Sequence, residues 1–102
     1  MNSAITLSAF RHSLADQDPP GRLGAPLTAL WWAAKGDWEK AHTIAQDDDS
    51  ADAAWVHAYL HRVEGDLGNA RYWYARARRA AATGSFETEW EMLVAALLAA
   101  TE

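Results

Sequence analysis

The sequence has no cysteine, which excludes disulfide bonds and any thiol chemistry, and is compatible with a reducing compartment. Proline is scarce as well. The sequence has three, and all of them fall between positions 19 and 26. Residues with branched β-carbons are few, whereas Ala, Leu, Glu and Arg are frequent. Together these features favour helices over strands along the chain.

Dense positive charge is also missing. The 102 residues include 9 Lys and Arg against 14 Asp and Glu, for a net charge of −5. Nucleic-acid-binding surfaces are strongly basic, so we expect no nucleic-acid partner. No apolar run approaches the roughly 18 residues of a membrane span, and the first residues lack the pattern of a signal peptide. We therefore expect a cytoplasmic protein with no membrane partner.

What the sequence does contain is a high apolar content, 50% of the residues, with six Trp among them. A chain of this length and composition builds one core. We predict a single helical domain over residues 1–102. It comprises an N-terminal helix and a Pro/Gly loop in 1–25, two helical hairpins in 26–82 and a closing helix in 85–101.

Turn residues divide the chain into about five to six helices, predicted at 3–15, 26–35, 38–46, 51–64, 67–82 and 86–100. Capping residues precede four of them: Asp37, Asp49 or Ser50, Asp66 and Ser85. The turns at Gly36-Asp37 and Gly65-Asp66 are short enough to force antiparallel neighbours. The predicted fold class is all-α, built from antiparallel helical hairpins.

The two Gly-Asp turns belong to an internal repeat. ALWWAAKGDWEKAHTIA, beginning at Ala29, aligns with AYLHRVEGDLGNARYWY, beginning at Ala58, an offset of 29 residues. In this alignment Trp32 corresponds to His61. Self-similarity at a fixed period of this size is typical of stacked helical hairpins.

The repeated residues resemble the tetratricopeptide repeat family. In the first helix and turn of the second copy, Ala58 takes the family's small position, His61 its bulky position and Gly65-Asp66 its turn. In the second helix, Ala70, Tyr74 and Ala77 take the family's Ala, aromatic and Ala positions. In the first copy Ala45 and Asp48 replace the aromatic and the last Ala, and the period is shorter than the family's of about 34 residues. The string WVHAYLHRVEGDLGNARYWY is also similar to a small family of uncharacterised bacterial proteins, which implies a bacterial origin and an all-helical fold.

The tetratricopeptide resemblance implies a non-enzymatic scaffold, without a cofactor, that binds a protein or peptide or forms a homodimer. By residue match, the candidates for the binding groove are Asp52, Trp55, Tyr59 and Arg62. Trp73 is a further candidate, because it lies in a run of three aromatic residues. Consecutive helical residues point about 100° apart and cannot all face one core, and exposed Trp side chains are common interaction anchors.

The histidines support a second hypothesis. His57, His61 and Glu64 follow the spacing i, i+4, i+7 and share one helix face. Two imidazoles and a carboxylate are sufficient as three ligands for Zn²⁺ or another divalent transition metal. His42, in the neighbouring hairpin, is a further candidate ligand, although the sequence does not establish that it lies nearby. The alternative is that the histidines pack within the hairpin and hydrogen-bond to Trp, Tyr or carboxylate groups. The alignment of His61 with a tryptophan favours this packing role.

Signals of catalysis are weak, and we predict no catalytic residues. The HxxxHxxE pattern is not the HExxH motif of metalloproteases, and no nucleophile elbow or phosphate-binding loop is present. The aspartate-rich segment 47–52 lacks the Gly and the final Glu of a calcium-binding EF-hand loop. An enzyme that uses the histidines as acid–base groups is the third, least favoured hypothesis.

Overall fold

The computed structural model describes residues 5–100, and these form six α-helices. The helices are α1 (Leu7–Ser13), α2 (Ala25–Ala34), α3 (Trp38–Gln46), α4 (Ala51–Glu64), α5 (Leu67–Ala77) and α6 (Phe86–Ala100). Residues 5–100 contain no strand, so the predicted all-α fold class is confirmed. No helix in this range is both long and apolar enough to cross a membrane.

Side-chain caps set the helix starts where the sequence predicts them. Asp37, Ser50 and Asp66 each accept a hydrogen bond from the backbone N–H three residues later, at 3.0 to 3.2 Å. Ser85 accepts one from the N–H of Thr88 at 3.0 Å. Each bond satisfies a donor that has no partner inside its own helix.

The two Gly-Asp turns have equivalent geometry. Gly36 and Gly65 adopt φ values of 87° and 91°, in the left-handed region that residues with a Cβ rarely occupy. The N–H of Asp37 donates to the carbonyl of Trp32 at 3.0 Å, and the N–H of Asp66 donates to that of His61 at 2.9 Å. The repeat seen in the sequence therefore corresponds to a repeated turn, which reverses the chain after α2 and after α4.

Two helices are shorter than predicted. The first, predicted at 3–15, is observed at Leu7–Ser13 and is capped by Thr6, and residues 1–4 lie outside the described range. The fifth, predicted to reach residue 82, ends at Ala77 because Arg78 adopts a left-handed conformation with φ of 60°. The N–H of Arg79 then donates to the carbonyl of Tyr74 at 3.0 Å and closes the helix. No glycine marks this end, so the usual sequence signal is missing.

α4 lies at the centre of the fold. It packs against its hairpin partner α5, against α2 and α3 of the other hairpin, and against α6. All nine residues from Ala53 to His61 are buried. A helix buried around its whole circumference needs neighbours on every side, and the other helices supply them.

α6 packs against α1, α2 and α4. The indole N–H of Trp90 donates to the carbonyl of Leu30 at 2.9 Å, and the ring of Phe10 lies 5.8 Å from the ring of Trp90. Arg11 of α1 forms an ion pair with Glu91. The apolar face of α6 is buried along its length, at Trp90, Leu93, Val94, Leu97 and Leu98.

A buried carboxylate joins α6 to the second hairpin. Glu89 is only 3% exposed, and its carboxylate accepts hydrogen bonds from Arg62 at 2.9 Å and from the hydroxyl of Tyr74. Arg62 also donates to the carbonyl of Gly84. Burial and the nearby carboxylate raise the pKa of Tyr59 to about 12. These contacts fix α6 against α4 and α5.

Replacing Glu89 with alanine should destabilise the fold by about 3 to 5 kcal/mol, because the substitution leaves the guanidinium of Arg62 buried without its partner. The Arg62 side chain is 11% exposed, so water cannot easily take the place of the carboxylate. The free energy of unfolding in urea, measured at pH 7, tests this expectation.

Glu87→Ala is the matched control, because Glu87 lies on the same helix with its side chain 77% exposed and 3.7 Å from Arg11. Its loss should change stability by less than about 0.5 kcal/mol. Equal decreases in the free energy of unfolding for the two variants would show that the ion pair between Glu89 and Arg62 does not stabilise the fold.

Candidate metal centre

Three histidines from two helices meet between the hairpins, where His57 and His61 are buried and His42 is half-buried. His42 lies on α3, and His57 and His61 lie one turn apart on α4. The ring centroids are separated by 4.6 Å for His42 and His57, 4.8 Å for His57 and His61, and 5.2 Å for His42 and His61. One ring nitrogen from each residue lies within 4.8 Å of the other two.

This spacing is close to that of a metal-ligand set. Zn²⁺ binds imidazole nitrogens at about 2.0 to 2.1 Å, so a tetrahedral ion holds its ligand atoms about 3.4 Å apart. The three nitrogens, now within 4.8 Å of one another, would therefore have to approach by up to about 1.4 Å to hold such an ion. The residue type and the geometry therefore both fit a transition-metal ion, and three histidines leave a fourth coordination position open.

Two tryptophans cover the histidine rings. Trp38 stacks on His42 with the rings 4.7 Å apart and 9° from parallel, and Trp73 stacks on His57 at 3.9 Å and 11°. The indole N–H of Trp38 donates to the carbonyl of Leu60 at 2.7 Å, which fixes that ring against α4. The tryptophans restrict both the orientation of the imidazoles and the access of water to them.

Glu64 contacts His61 from the opposite side of the cluster. Its Oε2 lies 2.7 Å from Nδ1 of His61. A carboxylate that accepts the Nδ1 proton leaves Nε2 as the nitrogen with a free lone pair, an arrangement that is common behind metal-binding histidines. The structure therefore places Glu64 behind His61 and outside the group of three nitrogens, although the sequence spacing predicts it as a ligand. Glu64 also forms a more exposed group with His61 and Asp66.

The environment favours the uncharged form of His42 and His57. Burial lowers the pKa of His57 to about 4, with a further contribution from His42 and His61. Burial and the nearby His61 also lower the pKa of His42, against the opposing effect of Glu64 and Glu39. Neutral imidazole is the form that binds metals, so the lowered pKa values of His42 and His57 reduce the competition of protons for their nitrogens.

The packing role predicted from the sequence requires the histidines to hydrogen-bond to Trp, Tyr or carboxylate groups. In the described part of the chain, only one of the three histidines in the cluster does so. His61 has its carboxylate partner, whereas within residues 5–100 no hydrogen bond reaches the ring of His42 or His57. The indole of Trp38, which is close enough to stack on His42, donates to a backbone carbonyl instead. No enclosed side-chain nitrogen or oxygen in the same range lacks a hydrogen-bond partner, so the unbonded nitrogens of these two rings are accessible to a ligand.

The residues predicted to line a protein-binding groove lie under other parts of the chain. Trp55 and Tyr59 are 4% and 7% exposed, and Arg62 is bonded to Glu89 of α6. The guanidinium of Arg79 lies 4.0 Å from the ring of Trp55. Binding of a partner through these side chains remains a prediction, and it requires their present neighbours to move.

The two remaining protein-binding candidates lie elsewhere. Asp52 is half-buried in the first turn of α4, and Trp73 is half-buried against His57. The sequence did not connect Trp38 or Trp73 with the histidines. The only signal was the spacing of Trp38 and His42, one turn apart on the same helix, as His57 and His61 are.

The depressed pKa of His57 makes stability depend on pH. In the unfolded chain this residue takes up a proton near its ordinary value of 6.5, whereas in the folded protein it does so only near 4. Its contribution to stability should therefore be complete above about pH 6.5 and decrease as the pH falls towards 4, by up to about 3 kcal/mol. Urea unfolding at a series of pH values from 7.5 to about 4 measures the loss.

His57→Phe serves as the control, because it retains a flat ring against Trp73 and has no proton to gain. The stability of this variant should fall less between about pH 6.5 and 4. Parallel pH profiles for the variant and the original protein would show that the buried imidazole does not cause the effect.

No protein-family model, curated protein or solved structure matches the chain. The similarity to tetratricopeptide repeats and to a bacterial family therefore remains a prediction from the sequence. The geometry of the histidine cluster is the basis on which a function can be inferred.

Proposed function

We propose that the protein binds a divalent transition-metal ion, Zn²⁺ in particular, through His42, His57 and His61. The observation that carries this proposal is the convergence of three ring nitrogens, within 4.8 Å of one another, between the two hairpins. Imidazole is a preferred ligand of Zn²⁺, and stacking by Trp38 and Trp73 and the contact with Glu64 orient the three rings.

The proposed ion links the two hairpins. His42 comes from α3 of the first hairpin, whereas His57 and His61 come from α4 of the second. An ion bound to all three stabilises the packing of α3 against α4. Because the unfolded chain does not hold the three nitrogens together, the free energy of metal binding adds to the stability of the folded state.

Glu64 has a supporting role in this proposal. Its hydrogen bond to Nδ1 of His61 fixes the plane of the ring and raises the basicity of the other nitrogen. Removing such a partner typically weakens metal binding by about 10- to 100-fold without abolishing it.

A protein-interaction scaffold in a bacterial cytoplasm is the second candidate function, and it includes the formation of homodimers. The pair of hairpins with equivalent turns supports it, as do the apolar side chains exposed on α5, where Leu67 is 56% and Tyr72 53% exposed. It ranks second because the side chains predicted to line the groove are mostly covered.

Titration of the untagged protein with Zn²⁺ tests the metal proposal. We expect one equivalent to bind and the melting temperature to rise. At a free concentration 100 times the Kd, binding stabilises a protein by about 2.7 kcal/mol, which corresponds to roughly 10 to 20 °C for a domain of this size. His42→Ala, His57→Ala and His61→Ala should each remove most of this shift.

His12→Ala is the matched control, because His12 is the one histidine of the four that is not part of the cluster, and it is exposed on α1. It should bind Zn²⁺ like the original protein. Far-ultraviolet circular dichroism without metal establishes that each variant is folded. The absence of a specific melting shift in the original protein, or an equal shift in the His57 and His61 variants, would overturn the proposal.

A further inference from the structure

A small cavity lies beside the histidine cluster. Its volume is about 50 Å³, and it lies among the end of α3, the start of α4 and one face of α5. His57 and Trp73 line one part of it, whereas Asp48, Asp49 and Arg76 line another. A cavity of this size accommodates a few water molecules.

His57 connects this cavity to the cluster. The residue is 4% exposed, and within residues 5–100 no hydrogen bond reaches its ring. No fully enclosed side-chain nitrogen or oxygen in the same range lacks a partner, so the ring nitrogens of His57 must still reach accessible space. The cavity that His57 lines provides that space.

Side chains cover parts of the other sides of the cluster, although His42 is only half-buried. Trp38 lies over His42, and Trp73 lies over one face of His57. Glu64 covers His61 through a 2.7 Å contact. An ion that approaches along Glu64 must first displace this contact, whereas an ion in the cavity meets His57 without breaking a hydrogen bond.

The outer part of the cavity carries negative charge. Asp48 and Asp49, which we call the acidic rim, both line it and follow Asp47 in the sequence. Oδ1 of Asp48 accepts a hydrogen bond from the N–H of Ser50 at 2.8 Å, which holds that carboxylate in position. Arg76 provides an opposing charge, and its guanidinium lies 5.3 Å from the ring of Trp73.

Building on the proposed metal function, we propose that the cavity is the route by which a hydrated divalent cation reaches the three histidines. The acidic rim attracts the cation, which then exchanges its water molecules for the nitrogen of His57 and afterwards for those of His42 and His61. Carboxylates at the opening of a site raise the association rate by electrostatic steering. They need not contribute to the final affinity, because they are not among the converging ligand atoms.

Stopped-flow measurement of Zn²⁺ association, followed by the fluorescence of the stacked tryptophans, tests this route in the full chain. The double variant Asp48→Asn/Asp49→Asn should associate about tenfold more slowly at low ionic strength, with an unchanged dissociation rate. The difference should shrink at about 1 M salt, where exposed charges are screened beyond about 3 Å. Arg76→Gln should have the opposite effect and accelerate association.

Asp16→Asn/Asp18→Asn is the matched control, because it removes the same charge from exposed positions between α1 and α2. This variant should associate at nearly the rate of the original protein. Asparagine at position 48 keeps an oxygen that can accept the N–H of Ser50, so the rim variant should retain its local fold.

Four results would overturn the route. If the rim and control variants associate equally fast while Zn²⁺ still binds, the route is wrong and the metal site stands. If Glu64→Gln slows association and the rim variant does not, the cation arrives on the side of His61. If the rim variant mainly dissociates faster, its carboxylates are ligands. Failure of the original protein to bind Zn²⁺ overturns both the route and the proposed function.

Discussion

Burial of α4 around its whole circumference is the constraint on which the other features depend. Nine consecutive buried residues include two histidines, and Arg62 follows directly. Each of these polar side chains must find a partner inside the protein or remain unpaired at a cost in free energy. Arg62 is paired with Glu89, and His61 with Glu64. The ring of His57 contacts those of His42, His61 and Trp73, and among residues 5–100 it has no hydrogen-bond partner.

Stacking and coordination are compatible at this site. Trp73 covers the face of His57, whereas a metal ion binds an imidazole in the plane of its ring, so the two interactions use different directions. The same holds for Trp38 and His42. The alignment of His61 with a tryptophan, which favours a packing role, is therefore no argument against metal binding, because a packed ring still presents its nitrogens at the edge.

Local features of the fold were predictable from the sequence because local physics decides them. Asp37 and Asp66 cap their helices through contacts three residues away, and Gly65 reverses the chain by a conformation that few other residues adopt. The end of α5 at Arg78 was not predictable, because an arginine carries no signal for a left-handed conformation. The proximity of His42 to α4 depends on how the hairpins pack, and no spacing within one helix encodes it.

Contacts between helices that are distant in the sequence also affect how the protein unfolds. In an open array of repeats each hairpin touches only its neighbours, so an array can fray from one end. Here α6 contacts α1, α2 and α4. Separation of α6 would expose the apolar faces of α1, α2 and α4 that pack against it, and would break the ion pair between Glu89 and Arg62 in the same step. The six helices are thus coupled into one cooperative unit, and their long-range contacts should make folding slower than in a bundle built from local contacts alone.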